Sequence, residues 1–269
     1  MKDGNEPADG WSAGVEESDA WQAPAGPWTI ELVGPAGAGK SQLLSALESS
    51  PLELELLNRF DKRTNGGMIL RNAAPLALRL LRLLTTHAVA SFGGLRPGAA
   101  AASRASLRAG IHGLLFLHLM RPRVFRRRQS LSAVVVDEGP VFMLAKLEGL
   151  RRDHGFPAHF GPAVLREQDY WGSALHAVVL LDAPDEVLME RIRTRAKDHI
   201  VKHATEAEMR TFLNDWRTSI AAVCARLAGA FGTRVVRYDS STWSAEAIKD
   251  DLLRRMGLVA PAAASEESA

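Results

Sequence analysis

The sequence predicts an α/β fold in which a five-stranded parallel sheet carries helices on both faces. Three observations predict it. Short β-branched or leucine-rich runs alternate with long helical patterns, which is how a parallel sheet with crossover helices reads. A glycine-rich turn, Gly34 to Ser41, separates the first such run from the first helical pattern. Ala133 to Asp137 is an apolar run ending in a carboxylate, as expected of a strand buried on both faces with its tip at a site.

Positions 1–26 are rich in Gly, Ala, Pro and acid without any period; such a segment buries too little apolar surface to offset its ordering and is expected to be a flexible acidic tail. Strands are expected at Trp28 to Val33, Leu52 to Leu57, Ala133 to Asp137, His176 to Asp182 and Arg234 to Tyr238. The second alternates leucine with glutamate and suits an edge, whereas Ala133 to Val136 and Ala177 to Leu181 suit central strands. Helices are expected near Lys40 to Glu48, Met68 to Ala90, Ala100 to Met120, Pro184 to Lys197, Glu206 to Ala228 and Ser244 to Met256, the last opening on Ser244 and Glu246, close to a capping signal. Positions 259–269 read as a second flexible tail. With no internal repeat and no long linker, 27–258 is expected to be one folded domain.

Composition bounds the function. Of the 269 residues, 46% are hydrophobic and 24% charged, proportions that exclude fibrous and wholly disordered classes. The single cysteine, Cys224, excludes a disulfide framework or a Cys-rich metal site and suits a reducing compartment. The N-terminus carries Asp3, Glu6, Asp9 and Glu16 against Lys2, the reverse of a basic export signal. Ala73 to Phe92 is interrupted by Arg79 and Arg82, and Ile111 to Met120 is too short to span a bilayer. A cytoplasmic location is expected. A formal charge of +2 does not by itself argue for nucleic acid.

Gly34-Pro35-Ala36-Gly37-Ala38-Gly39-Lys40-Ser41 is a full G-x-x-x-x-G-K-S phosphate-binding loop, or P-loop, leading into Gln42-Leu43-Leu44. Glycines let the backbone curl so that N–H groups, from Gly34 and Ala36 through Gly37, Ala38 and Gly39 to Gln42, converge on phosphate oxygens at a helix N-terminus. Lys40 is the residue to reach the outer phosphates, and the Ser41 hydroxyl to ligate Mg2+. Asp137, ending its valine strand, is the candidate to hold Mg2+ through water, and Glu138 follows it. Asn58-Arg59-Phe60-Asp61 mimics the N-K-x-D guanine reader of GTPases, but follows the second strand, whereas that reader belongs late in the fold.

The stretch from Asp182 through Pro184, Glu190, Arg191, Arg193, Arg195 and Lys197, with the late run Val235 to Ser241, resembles deoxynucleoside kinases and thymidylate kinases, a likeness in element order over roughly 28–258. The resemblance implies a P-loop NTPase fold with a short arginine-rich lid, ATP and Mg2+ as ligands, and in-line transfer of the γ-phosphoryl group to a small-molecule acceptor: a nucleoside, a nucleotide, or another hydroxyl or phosphate. It implies lid roles for Arg191 and Arg195 in catalysis and for Arg193 in nucleotide binding, and places Asp239 and Ser240 in the adenine-side loop. Arg191 and Arg195 are spaced to share a helical face. The chain departs from the family at Asp137-Glu138-Gly139-Pro140, where Asp-Arg is usual, and at Lys197, where arginine is common. The general base has no clear counterpart: Asp61 and Glu138 are the two candidates.

Positions 62–136 contain no acidic residue but many arginines, among them Arg121, Arg123, Arg126, Arg127 and Arg128. This polarity suits an anionic acceptor, a nucleic acid or anionic membrane surface, or simply a solvated face; a homodimer is left open as well. His154 and His159 lack metal-ligand spacing, and the segment Asp153 to Pro162 is expected to cover the acceptor. Tyr170 and Trp171 are read either as stacking on a base or sugar or as core. The alternative to a kinase is a P-loop regulatory ATPase or nucleotide switch whose basic face binds an anionic partner.

Overall fold

A computed structural model describes residues 20–58, 97–125, 131–154, 161–196 and 198–258. Five strands, β1 (Trp28–Val33), β2 (Leu54–Asn58), β3 (Ala133–Asp137), β4 (Ala177–Asp182) and β5 (Arg234–Asp239), pair in the order β2-β3-β1-β4-β5, every pairing parallel. The fold is α/β, an all-parallel five-stranded sheet with helices on both faces. β1 and β4 are buried along their whole length; β3 and β4 read as unbroken apolar runs, whereas β1 carries Thr29 and Glu31 among its apolar residues. The leucine–glutamate run lies at an edge, as its alternation predicts, though pairing begins at Leu54 rather than Leu52.

The described helices are α1 (Lys40–Glu48), α2 (Pro97–Phe125), α3 (Pro140–His154), α4 (Gly161–Ala174), α5 (Asp185–Thr194), α6 (Glu206–Phe231) and α7 (Ala245–Arg255). Thr205 and Glu208 form a reciprocal capping box at α6, which ends on left-handed Gly232. Ser244 caps α7 by accepting from the Ala247 N–H. Two helices, α3 and α4, went unread in the sequence. α3 opens on Pro140 and its donors are met by a distant side chain, so no local cap marks its start. They correct the expectation of a covering loop from Asp153 to Pro162: Asp153 and His154 end α3 and Gly161 opens α4, while 155–160 lie outside the described residues. The helix expected at Met68 to Ala90 also lies outside them.

Strand parity divides the core. Ile30, Leu32, Val135, Val179 and Leu181 pack with Leu43 and Leu47 of α1, Leu188 of α5 and Leu252 of α7. On the other face Val33, Val134, Val136 and Val178 meet Leu117 of α2, Leu144 and Leu147 of α3, Trp171 of α4 and Val223 of α6. Trp171 is 0% exposed, so it is core and not a platform for a base. Tyr170 lies under the Arg121 guanidinium, 3.7 Å from ring centroid to Cζ.

Packing begins before residue 27. The Trp21 N–H donates to the Arg255 carbonyl at 2.6 Å and its ring meets Trp28 at 5.6 Å, so the end of the expected acidic tail is seated on the sheet. Among the described residues no helix is long and apolar enough to cross a membrane.

Candidate nucleotide site

Because β1 lies between β3 and β4, the chain leaving its carboxyl end turns to one side and the chain leaving β3 to the other. The crevice so formed is where open parallel sheets place ligands, and the glycine-rich loop sits in it. Gly34 must be glycine because a Cβ there would stand 2.2 Å from the Leu181 carbonyl oxygen of β4. Gly39, with φ 85, starts α1 in the left-handed region, and α1 has neither a side-chain cap nor an acidic residue in its first turn. Its dipole therefore faces the loop without an internal anion. Ser41 and Gln42 are exposed on the first turn, and Ala38 is buried.

Lys40 folds back along the loop, its Nζ donating to the carbonyls of Gly34 at 2.7 Å and Pro35 at 3.1 Å. Burial lowers its pKa; the carboxylates of Glu138 and Asp137 oppose that shift and the Arg195 guanidinium adds to it. Four sequence-nominated groups thus share one electrostatic neighbourhood. Asp137 pairs in register with Leu32 of β1 at the end of β3. Glu138 follows with φ 50, a strained conformation for a residue with a Cβ.

The three arginines expected to form a lid separate. Arg191 donates from Nη1 to the Gly37 carbonyl at 3.1 Å and to Ser240 Oγ at 3.0 Å, and from Nη2 to the Ser240 carbonyl at 3.0 Å. It ties the loop to the β5–α7 turn, where Asp239 Oδ1 accepts from the Ser241 N–H at 2.8 Å. Arg193 stands exposed, two residues on and hence on another side of α5. The expected helix to Lys197 is shorter. It ends at Thr194, and Arg195, at φ −61 and ψ 142, leaves helical geometry, so Arg191 and Arg195 do not share a continuing helical face. The Lys202 ammonium donates to the Arg195 carbonyl at 2.6 Å and so braces the turn.

One group at the site carried no signal in the sequence. His199, beyond the lid helix, is half-buried against Phe212, with ring centroids 5.7 Å apart. Burial, then Arg195 and Lys40, hold its pKa below the ordinary value, while Asp198 and Glu138 pull the other way. His199 therefore belongs to the loop's neighbourhood, although no motif spacing connects it with Lys40. Asp61, the rival to Glu138 as base, and the arginines at 126–128 lie outside the described residues.

Among the described residues no cluster of three or more His, Cys, Asp or Glu could hold a metal. One hydroxyl, Ser41, and one strand-end carboxylate, Asp137, beside the glycine-rich loop are nonetheless hard oxygen donors of the kind that suit Mg2+.

No protein-family model matches the chain, and no curated protein matches it. Among solved structures, the chain is similar to the YorR protein of Bacillus subtilis, crystallised in complex with phosphorylated GDP. Identity is 13%, the match covers 86% of this chain and 96% of that one, and the TM-score is 0.47.

Proposed function

We propose that the chain is an ATP-dependent phosphotransferase that moves the γ-phosphoryl group of ATP to a small-molecule acceptor. One observation carries the reading. A phosphate loop at an uncapped helix N-terminus has Lys40 within it, Asp137 and Glu138 on one side and Arg195 on the other, all close enough to shift the Lys40 pKa. Phosphoryl transfer asks mainly for this, positioning plus positive charge on non-bridging oxygens beside a site for a divalent cation.

In this reading the loop amides and Lys40 hold the β- and γ-phosphates. Ser41 and Asp137 would hold Mg2+, which would supply positive charge to the phosphates. Arg191, spanning Gly37 and Ser240, borders the base side with Asp239, and Arg195 stabilises charge on the transferring group. Glu138, held at the mouth of β3, is the described candidate to accept the acceptor's proton.

The test is transfer of radiolabel from γ-labelled ATP with Mg2+ to a panel of nucleosides, nucleotides and other hydroxyl or phosphate acceptors. Once an acceptor is found, Arg195→Ala should lower kcat about a hundredfold or more with a much smaller change in ATP affinity, because its contact is strongest in the transition state. Transfer within about threefold of wild type, far less than that loss, would remove Arg195 from the chemistry and favour a regulatory ATPase.

A further inference from the structure

Glu31 is an anomaly in its strand. It sits in the middle of β1 with 0% exposure, opposite Val136 of β3 and Val178 of β4, where the neighbouring strands use valine. A carboxylate there is costly unless its oxygens are fully hydrogen-bonded. They are bonded to the start of α3: Oε2 accepts from the Val141 N–H at 2.7 Å and Oε1 from the Phe142 N–H at 2.9 Å, and the Gly139 N–H also bonds it. Pro140 has no N–H to offer, and the Met143 N–H is met by the Gly139 carbonyl at 3.1 Å. The first turn of α3 is thus closed on a buried carboxyl group, in contrast to α1.

Between this anchor and the site lies one short turn. Asp137 ends β3, Glu138 follows at φ 50, and Gly139 is pressed so close that a Cβ would stand 2.3 Å from Val136 Cγ1 and 3.2 Å from the Glu31 carboxyl carbon. A left-handed glutamate is strained and persists only where its surroundings hold it.

We propose that Glu31 is a positioning residue for the site: by binding the first amides of α3 it keeps the Glu138 turn strained and so aims Asp137 and Glu138 at the phosphate loop. The proposal rests on the reading of this crevice as a Mg2+–nucleotide site. Glu31 touches neither ligand; its effect passes through the turn. A cap that merely stabilised α3 would lower the folded fraction without separating metal-dependent from metal-independent binding.

The experiment compares ATP affinity by calorimetry in Mg2+ and in EDTA for wild type, Glu31→Gln and Glu31→Asp, with amide hydrogen exchange at Val141 and Phe142. Gln turns an N–H2 group toward backbone donors, and Asp keeps the carboxyl group but lacks the reach. Both variants should lose about tenfold or more of the affinity gained with Mg2+, the scale seen when a group orienting a metal ligand is removed. Affinity in EDTA should stay near wild type, and both amides should exchange faster. Glu31→Asp carries the test if Glu31→Gln does not fold. A wild-type Mg2+ increment in a folded variant with unprotected amides, or an equal loss with and without the metal, would overturn the positioning role. Absence of ATP binding in the wild-type chain would overturn the nucleotide reading, and the proposal with it.

Discussion

Lys40 and His199 answer to the same charges, one from the loop and one from beyond α5. Lys40 spends hydrogen bonds on the Gly34 and Pro35 carbonyls, contacts a polyphosphate would compete for. Lys40→Ala should therefore abolish detectable ATP affinity while circular dichroism stays that of the wild type, since α1 and the strand beside it keep their packing; unchanged ATP affinity would remove the lysine from the site. His199 is depressed below 6.5, first by burial and then by Arg195 and Lys40. A bound polyphosphate adds negative charge facing those cations, so the His199 pKa should rise on nucleotide binding. Titrating its ring signals by NMR with and without ATP checks the direction, and a pKa that does not move would place His199 away from the phosphates.

At the scale of elements, α5 is held at its root by a buried ion network. Asp182 ends β4 at 2% exposure. Its Oδ2 accepts from Arg217 Nε at 2.9 Å and from Arg237 Nη2 at 2.9 Å, while Oδ1 accepts from the Ala183 N–H at 2.9 Å and Arg217 Nη2 at 3.1 Å. Arg217 also donates to the Ala183 carbonyl at 2.9 Å and to Asp185 Oδ1, so one guanidinium from α6 joins the end of β4 to the start of α5. Arg217→Ala leaves a buried carboxylate with one cation, a loss of about 1–3 kcal/mol that urea denaturation would read as a lower midpoint with unchanged slope. A variant as stable as wild type would mean that Arg237 and the Ala183 N–H satisfy Asp182 by themselves. α4 and α6 meet through Gly172, where a Cβ would fall 2.2 Å from the Phe231 ring. That close approach helps seat Trp171 in the core.

For the whole molecule, the buried carboxylate of β1 links stability to pH. Burial raises Glu31 from 4.5 to about 8, against the pull of backbone N–H groups from Phe142, Val141 and Gly139. Between those values the folded chain keeps a proton that the unfolded chain has released. Its contribution is therefore full below about 4.5, falls as pH rises to about 8, and is level above. Denaturation curves at pH 6 and pH 9 should show wild type losing stability relative to Glu31→Gln as pH rises. A difference that is constant with pH would mean that Glu31 is ionised throughout, its amide partners outweighing burial.

The sequence by itself determined the sheet and the loop. Apolar runs bounded by turns mark β3 and β4 because strands buried on both faces have no room for alternation, and G-x-x-x-x-G-K-S after a short β-prone run marks β1 and the loop because few other residues let a backbone curl so tightly into a helix start. These signals are local and survive in a linear string. Only the tertiary structure decided which arginine stands where in the lid. Arg191 faces Gly37 and Ser240 because α5 packs beside the loop, and Arg195 leaves the helix where Lys202 meets its carbonyl. It also decided that Trp171 is core, that His199 comes to the loop, and that α3 begins on a carboxylate more than a hundred positions earlier in the chain. No spacing rule could carry that last contact, since its two ends meet only when β1 and β3 lie side by side.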